Sequence, residues 1–242
     1  MKHQSTQFDA DLDSITSKVL QMGGMVESQL AKATQALTTF NAPLADHVMQ
    51  EETHIDQLEM QIDAECISTI ARWQPIAVDL RYIMAISKII TNLERAGDEA
   101  ERIAKRTKHI MEDSSAHSIN FSEIKVASEL AAQLLKGSLD AFARADASAA
   151  ARVIQGDRAL DDEFRAFVRK LHSYMTEDPR TIKVALDFLF IAKAIERIGD
   201  HATNVAELVI FQVIGKDIRH SNRDDVAKQI DAAGKQNVAT GQ

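Results

Sequence analysis

Eight carboxylates stand in four pairs of one spacing: Glu52 and Asp56, Glu94 and Asp98, Asp157 and Asp161, Glu196 and Asp200. Residues four apart on a helix lie one turn apart on the same face, where two like charges repel by about 0.2–0.5 kcal/mol unless something compensates. Carboxylate oxygens are ligands for Mg, Mn, Fe or Zn, and acids from two or three helices can converge on one ion. A divalent or trivalent cation is therefore one way to quiet these pairs. Basic neighbours are another: Arg95 and Arg102 accompany Glu94 and Asp98, and Arg197 accompanies Glu196 and Asp200.

Projection at about 100° per residue sharpens the pattern. Asp98 and Glu101 fall within about 40° of Glu94, beside the apolar run of Ile90, Leu93, Ala100 and Ile103. Glu196, Asp200 and Glu207 stand likewise beside Ile195, Ala202 and Val205. The acids border the apolar stripe rather than oppose it. Gly97 and Gly199 sit inside these segments, although a mid-helix glycine costs about 1 kcal/mol relative to alanine. Close approach of a neighbouring helix, or room for an ion, would account for both. The competing reading is plainer: acids at this spacing are common on solvated helix faces.

The elements that carry the acids are long helices. Leu12, Ile15, Val19, Met22, Val26, Leu30, Ala33 and Leu37 step by three and four, and so do Leu80, Ile83, Ile86, Ile90, Leu93, Gly97, Ala100 and Ile103. Val48, Ile55, Leu58, Ile62, Cys66 and Ile70 form a third such run, with one wider gap. Three helices of roughly 30 residues, each about 45 Å long, make an antiparallel three-helix bundle. Pro43, Pro75 and Pro179 each mark one helix ending and another starting, with Asp178 and Pro179 reading as N-cap and first helical residue. Only 9 Gly and 3 Pro occur in 242 residues, too few for the turns of a β-sandwich or barrel.

The pattern then repeats. Leu93–Ala100 matches Ile195–Ala202 at an offset of 102 residues, and Val48–Asp56 matches Val153–Asp161 at 105. Two segments repeated in the same order predict two homologous three-helix bundles in tandem, an all-α fold of six long helices. The expected boundaries are 1–113 and 118–216, separated by a polar break, with a polar, mobile tail over 217–242.

Charge and composition narrow the function. Thirty-six Asp and Glu against 28 Lys and Arg give a net charge of −8, which argues against a nucleic-acid partner. The single Cys66 reads as a buried thiol in a reducing, cytoplasmic setting. The first residues lack the apolar run of a signal peptide, and no apolar stretch approaches the roughly 20 residues of a membrane span. No phosphate-binding glycine loop and no nucleophile-plus-base pairing points to an enzyme. A di-iron or di-manganese carboxylate oxidoreductase is an alternative, because such bundles also project acids inward. It requires a Glu-x-x-His pair twice, whereas Glu51 and His54 have Gly156 and Ala159 as their counterparts.

The segments LERAGDEAERIA (93–104) and IERIGDHATNVAE (195–207), set in a twofold repeat of three helices, resemble the PhoU family, from about Phe8 to Lys216 and including Met22-Gly-Gly-Met-Val-Glu. The resemblance implies two similar three-helix bundles side by side and a cytoplasmic, non-enzymatic regulator of phosphate uptake. It implies negative regulation of the phosphate-starvation regulon at the inner membrane face. The implied partners are the ATPase subunit of the phosphate ABC transporter, the phosphate-sensing histidine kinase and a second copy of the chain. It also implies metal binding through the [E/D]xxxD motifs. These fall on Glu52, Asp56, Glu94, Asp98, Asp157, Asp161, Glu196 and Asp200, with Glu101 beside the first ladder and Asn204 extending the second. Arg102 stands at the counterpart of Asn204, a departure from symmetry.

Overall fold

The computed structural model describes residues 5–113 and 118–218. Six helices follow one another: α1 (Ser5–Thr39), α2 (Ala42–Trp73), α3 (Val78–Met111), α4 (Ser122–Arg144), α5 (Ala147–Glu177) and α6 (Ile182–Ile214). Helices α1–α3 pack on one another, as do α4–α6, and the two bundles meet along α3 with α6 and α1 with α4. The all-α tandem architecture is the one the periodicity predicts.

The duplication extends to the turns. Asn41 and Asp146 cap α2 and α5 with the same backbone geometry, φ −100° and ψ 94°. Each side chain accepts a hydrogen bond from the amide three residues on, Leu44 or Ala149. The residue before each cap, Phe40 or Ala145, is left-handed at φ 49° or 48°. Both caps satisfy amides that helix starts leave open. One two-residue turn is thus used twice, at the 105-residue offset.

The prolines differ in detail. Pro43 lies in the first turn of α2, but Pro75 sits in the loop ahead of α3. Asp178 caps a short 3₁₀ turn, Pro179–Thr181, and α6 begins only after it. The fixed φ of proline suits either placement. Of the tail expected from residue 217, only Asp217 and Ile218 are described, and Ile218 is buried; residues 219–242 lie outside the described residues.

One apolar core runs through both bundles. Val19, Met22 and Val26 of α1, Ile86, Ile90 and Leu93 of α3, and Ile191, Ile195 and Ile198 of α6 are fully buried. Where α1 meets α4, a Cβ on Gly23 would lie 2.5 Å from Leu139 Cδ2, so the leucine nests against bare backbone. No described helix is long and apolar enough to cross a membrane.

Candidate functional site

The acid pairs are assembled by adjacent helices, α2 with α3 and α5 with α6. In the first bundle Glu52 of α2 is buried, Asp56 is exposed, and Glu94, Asp98 and Glu101 of α3 are half-buried. Burial pushes the Glu52 carboxyl up to about 7. A hydrogen bond from Gln29 opposes that rise, and the charges of Asp98, Asp56 and Glu101 add to it. Burial, then Asp98, Glu59 and Asp56, raise Glu94 as well. These acids therefore share one field. Glu59, which the four-residue spacing does not single out, lies within it, one turn beyond Asp56 on α2.

Gly97 explains how Glu52 fits there. A Cβ on Gly97 would stand 3.1 Å from both Glu52 carboxylate oxygens and 3.2 Å from Gln29 Oε1. The missing side chain leaves a cradle that the carboxylate fills. Glu52 Oε2 accepts from Gln29 Nε2, which also donates to the Val48 carbonyl. Glu52 Oε1 is buried without a hydrogen-bond partner, a costly state for a charged oxygen.

The second bundle repeats the plan with different packing. Asp157 of α5 is 1% exposed, and Asp161, Glu196 and Asp200 are half-buried. Burial and the charges of Glu196, Asp157 and Asp161 raise Asp200 to about 6, against the pull of Lys193. A Cβ on Gly199 would meet Leu160 Cδ2 at 2.3 Å and Asp157 Oδ1 at 3.3 Å. Each mid-helix glycine thus admits an acid from the preceding helix.

All the acids offer oxygen, the donor a hard cation takes, and Glu52 Oε1 has an open demand for a partner. In chemistry the residues fit a metal ion. Among the described residues, however, no three His, Cys, Asp or Glu side chains are gathered closely enough to form a ready-made site. Several ladder members also hold cations of the protein itself: Lys105 with Glu101, Lys193 with Glu196 and Arg165 with Asp161.

Asn204 departs from the grouping the sequence suggested. It is exposed, and its amide donates to Asn92 Oδ1 of α3 at 3.1 Å, so it joins the seam between the bundles. Arg102 and Arg197, which the sequence offered as counterions for the ladders, both turn to Glu99 instead, at 2.8 and 3.0 Å. Arg95 does hold down the rise in Glu94. Glu51 pairs with Lys32 and His47 while His54 is exposed. Cys66 is buried, and its thiol is pushed up to about 12.

The seam between α3 and α6 is the feature that sequence reasoning missed. Glu99 lies 4% exposed between two arginines from different bundles, and Arg106 pairs with Asp187 of α6 at 2.9 Å. His201, the counterpart of Glu99, is buried, touches Asn92 and has its pKa lowered to about 4 by burial, Arg197 and Arg95. The available signal was the helical spacing of Arg95, Glu99, Arg102 and Arg106 along one stripe of α3.

The PhoU domain model matches residues 19–107 and 124–209, one match per bundle. The chain is 46% identical over 229 residues to a phosphate-specific transport system accessory protein PhoU homolog of Burkholderia sp, covering 94% of this chain and 97% of that one. It is 41% identical over 234 residues to the phosphate-specific transport system accessory protein PhoU of Escherichia coli K12, covering 97% and 95%. The crystal structure of PhoU from Pseudomonas aeruginosa superposes with a TM-score of 0.82 at 41% identity, over 86% of this chain and all of that one. With the duplicated bundle, the LERAGD and IERIGD segments and a domain match in each half, the chain belongs to the PhoU family.

Proposed function

We propose that this protein is a metal-binding regulatory adaptor of phosphate homeostasis. It acts in the cytoplasm as a negative regulator of the phosphate-starvation regulon and modulates the phosphate-specific ABC transporter. Its partners are the transporter's ATPase subunit, the phosphate-sensing histidine kinase and a second copy of itself. The names of its relatives support the phosphate-transport part.

One observation carries the metal part. Equivalent carboxylates, Glu52 and Asp157, are buried at repeat-equivalent glycines and face further acids. Burying an acid among acids is unfavourable unless a cation offsets it. Glu52, Asp56, Glu94, Asp98 and Glu101 would hold an ion at the first ladder, and Asp157, Asp161, Glu196 and Asp200 at the second. Bound Mg, Mn, Fe or Zn supplies positive charge there. Two of the helices carrying these acids, α3 and α6, also form the seam between bundles, so neutralising the ladders favours one relative placement of α2 on α3 and of α5 on α6. That placement sets the surface offered to partners. Four exposed apolar residues, Ile76, Val78, Leu80 and Met84, from the α2–α3 turn into the start of α3, are compatible with such docking. An adaptor needs no catalytic residues, and none is assigned.

Two experiments test the reading. Protein dialysed against divalent ions and then assayed by elemental analysis should retain metal, and Asp98→Ala with Asp200→Ala should lower it; unchanged retention would remove the metal part. A deletion strain should produce alkaline phosphatase constitutively in high phosphate, and normal repression there would count against the regulatory part.

A further inference from the structure

The seam between α3 and α6 opens, at the end where α3 finishes and α6 begins, into a groove of about 420 Å³. Its walls carry Arg102, Lys105 and Arg106 from α3 and Lys193 and Arg197 from α6. Five cations line one groove of a chain whose net charge is −8. Glu99 is the lone acid lining it, and that carboxylate is buried.

Glu99 does not neutralise the groove so much as set it. Its Oε1 accepts a hydrogen bond from Nη1 of Arg102 at 2.8 Å and forms an ion pair with Nη1 of Arg197 at 3.0 Å. Two guanidiniums from opposite walls are thereby fixed, each through one nitrogen, and an arginine has five N–H donors. Arg106 is fixed as well, by Asp187 and by its position 4.4 Å from the centre of the Phe190 ring. Lys105 and Lys193 pair within their own helices, with Glu101 and Glu196, and both lysines are about half exposed. Surface pairs of that kind are weak and exchange readily for a multivalent anion.

The duplication supplies an internal control. At the other end of the same seam the counterparts of Arg102, Arg106 and Lys193 are Asn204, Leu208 and Thr91, and that end is a groove too, lined by Lys88 and Arg95 as its cations. The fold tolerates neutral residues at these positions, so packing does not require the cations of the first end. From Glu99 to Arg106 the cationic stretch runs about 10 Å along α3 at 1.5 Å per residue. That exceeds one tetrahedral oxyanion and suits several linked ones. Planar guanidiniums bind phosphoryl oxygens in bidentate fashion.

We propose that this groove binds a chain of phosphoryl groups, either a free condensed phosphate or the triphosphate of a nucleotide. The site uses none of the acids assigned to metal except the rim partners Glu101 and Glu196, and it stands independently of the metal reading.

The test is calorimetric titration of the full chain, in EDTA so that no metal bridges to the ladders, with sodium orthophosphate, sodium tripolyphosphate and ATP. Tripolyphosphate should bind at least tenfold more tightly than orthophosphate. Arg102→Ala with Arg197→Ala should cost at least tenfold, while Lys88→Ala with Arg95→Ala at the opposite end should cost less than twofold. Lys105→Gln with Lys193→Gln, at the exposed rim, gives the same direction without touching the buried Glu99 contacts. ATP binding as well as tripolyphosphate supports the site and identifies a nucleotide as the source; tripolyphosphate binding alone supports it with a free condensed phosphate. No tripolyphosphate binding, equal affinity for orthophosphate, or equal losses at the two ends would overturn the proposal.

Discussion

Gly97 of α3 lies directly beneath Glu52 of α2, where a Cβ would stand 3.1 Å from both carboxylate oxygens. The relationship separates two effects of one substitution. Gly97→Ala adds helix propensity worth about 1 kcal/mol and displaces the carboxylate by a few tenths of an ångström. Thermal melts should therefore change by no more than about 1 kcal/mol in either direction, while metal retained at the first ladder falls. Retention equal to wild type would show that the position of Glu52 is irrelevant to the ion.

Gly199→Ala should behave differently. Its Cβ would meet the buried Leu160 side chain at 2.3 Å, an overlap the core cannot absorb without moving. The cost of overpacking, about 1–3 kcal/mol, outweighs the gain in propensity. Urea denaturation should show a net loss of stability, and a variant as stable as wild type would mean that Leu160 swings aside freely.

Glu52 also gives the metal-free protein a pH signature. The folded carboxyl titrates near 7, against 4.5 for its unperturbed value. Between those values the folded chain holds a proton that the unfolded chain has lost, so stability drains as pH rises through the window. The shift corresponds to about 3 kcal/mol at 1.36 kcal/mol per unit. His201 slopes the other way: it titrates near 4 when folded and 6.5 when not, so stability drains as pH falls from 6.5 toward 4. Glu52→Gln should remove most of the first slope, leaving the smaller share of Asp200, whose carboxyl is raised to about 6, and keep the second, read from chemical denaturation in EDTA at pH 5.5 and 8. An unchanged difference between those two pH values would refute the burial of a proton-holding Glu52.

Metal should reverse that penalty. An ion that binds only the folded chain adds about 2.7 kcal/mol at 100 times its dissociation constant, roughly 5–10 °C in melting temperature for a protein of this size. The rise should shrink in Asp98→Ala with Asp200→Ala. A melting temperature that ignores both EDTA and added Mg or Mn would reduce the ladders to surface charge.

Glu99 ties the two bundles together through Arg197 of α6, while Arg102 of its own helix shares the same carboxylate oxygen. Both arginines are about half exposed, 53% and 45%, while the carboxylate is 4% exposed. Glu99→Gln frees the guanidiniums to turn to water, so the expected cost is about 1–2 kcal/mol, below the roughly 3–5 kcal/mol for breaking a fully buried pair. A double-mutant cycle of Glu99→Gln with Arg197→Ala should show coupling of at least about 0.5 kcal/mol. Additivity would mean the contact does not join the bundles.

The apolar steps of three and four, the prolines and the two offsets of 102 and 105 residues determined the six helices and their duplication. They did so because a helix face is a local property, written in spacing alone. The same spacing put Glu94 beside Asp98 and Glu196 beside Asp200. Which neighbour faces each stripe is settled by packing between residues far apart in the chain. Only the tertiary structure buried Glu52 against Gly97 and Asp157 against Gly199, drew Arg197 to Glu99, and sent Asn204 to Asn92. A helical projection gives the angle at which a side chain leaves its own axis. It carries no information about the second helix that meets it, and in this protein that second helix decides whether an acid is solvated, cradled or bound to an arginine.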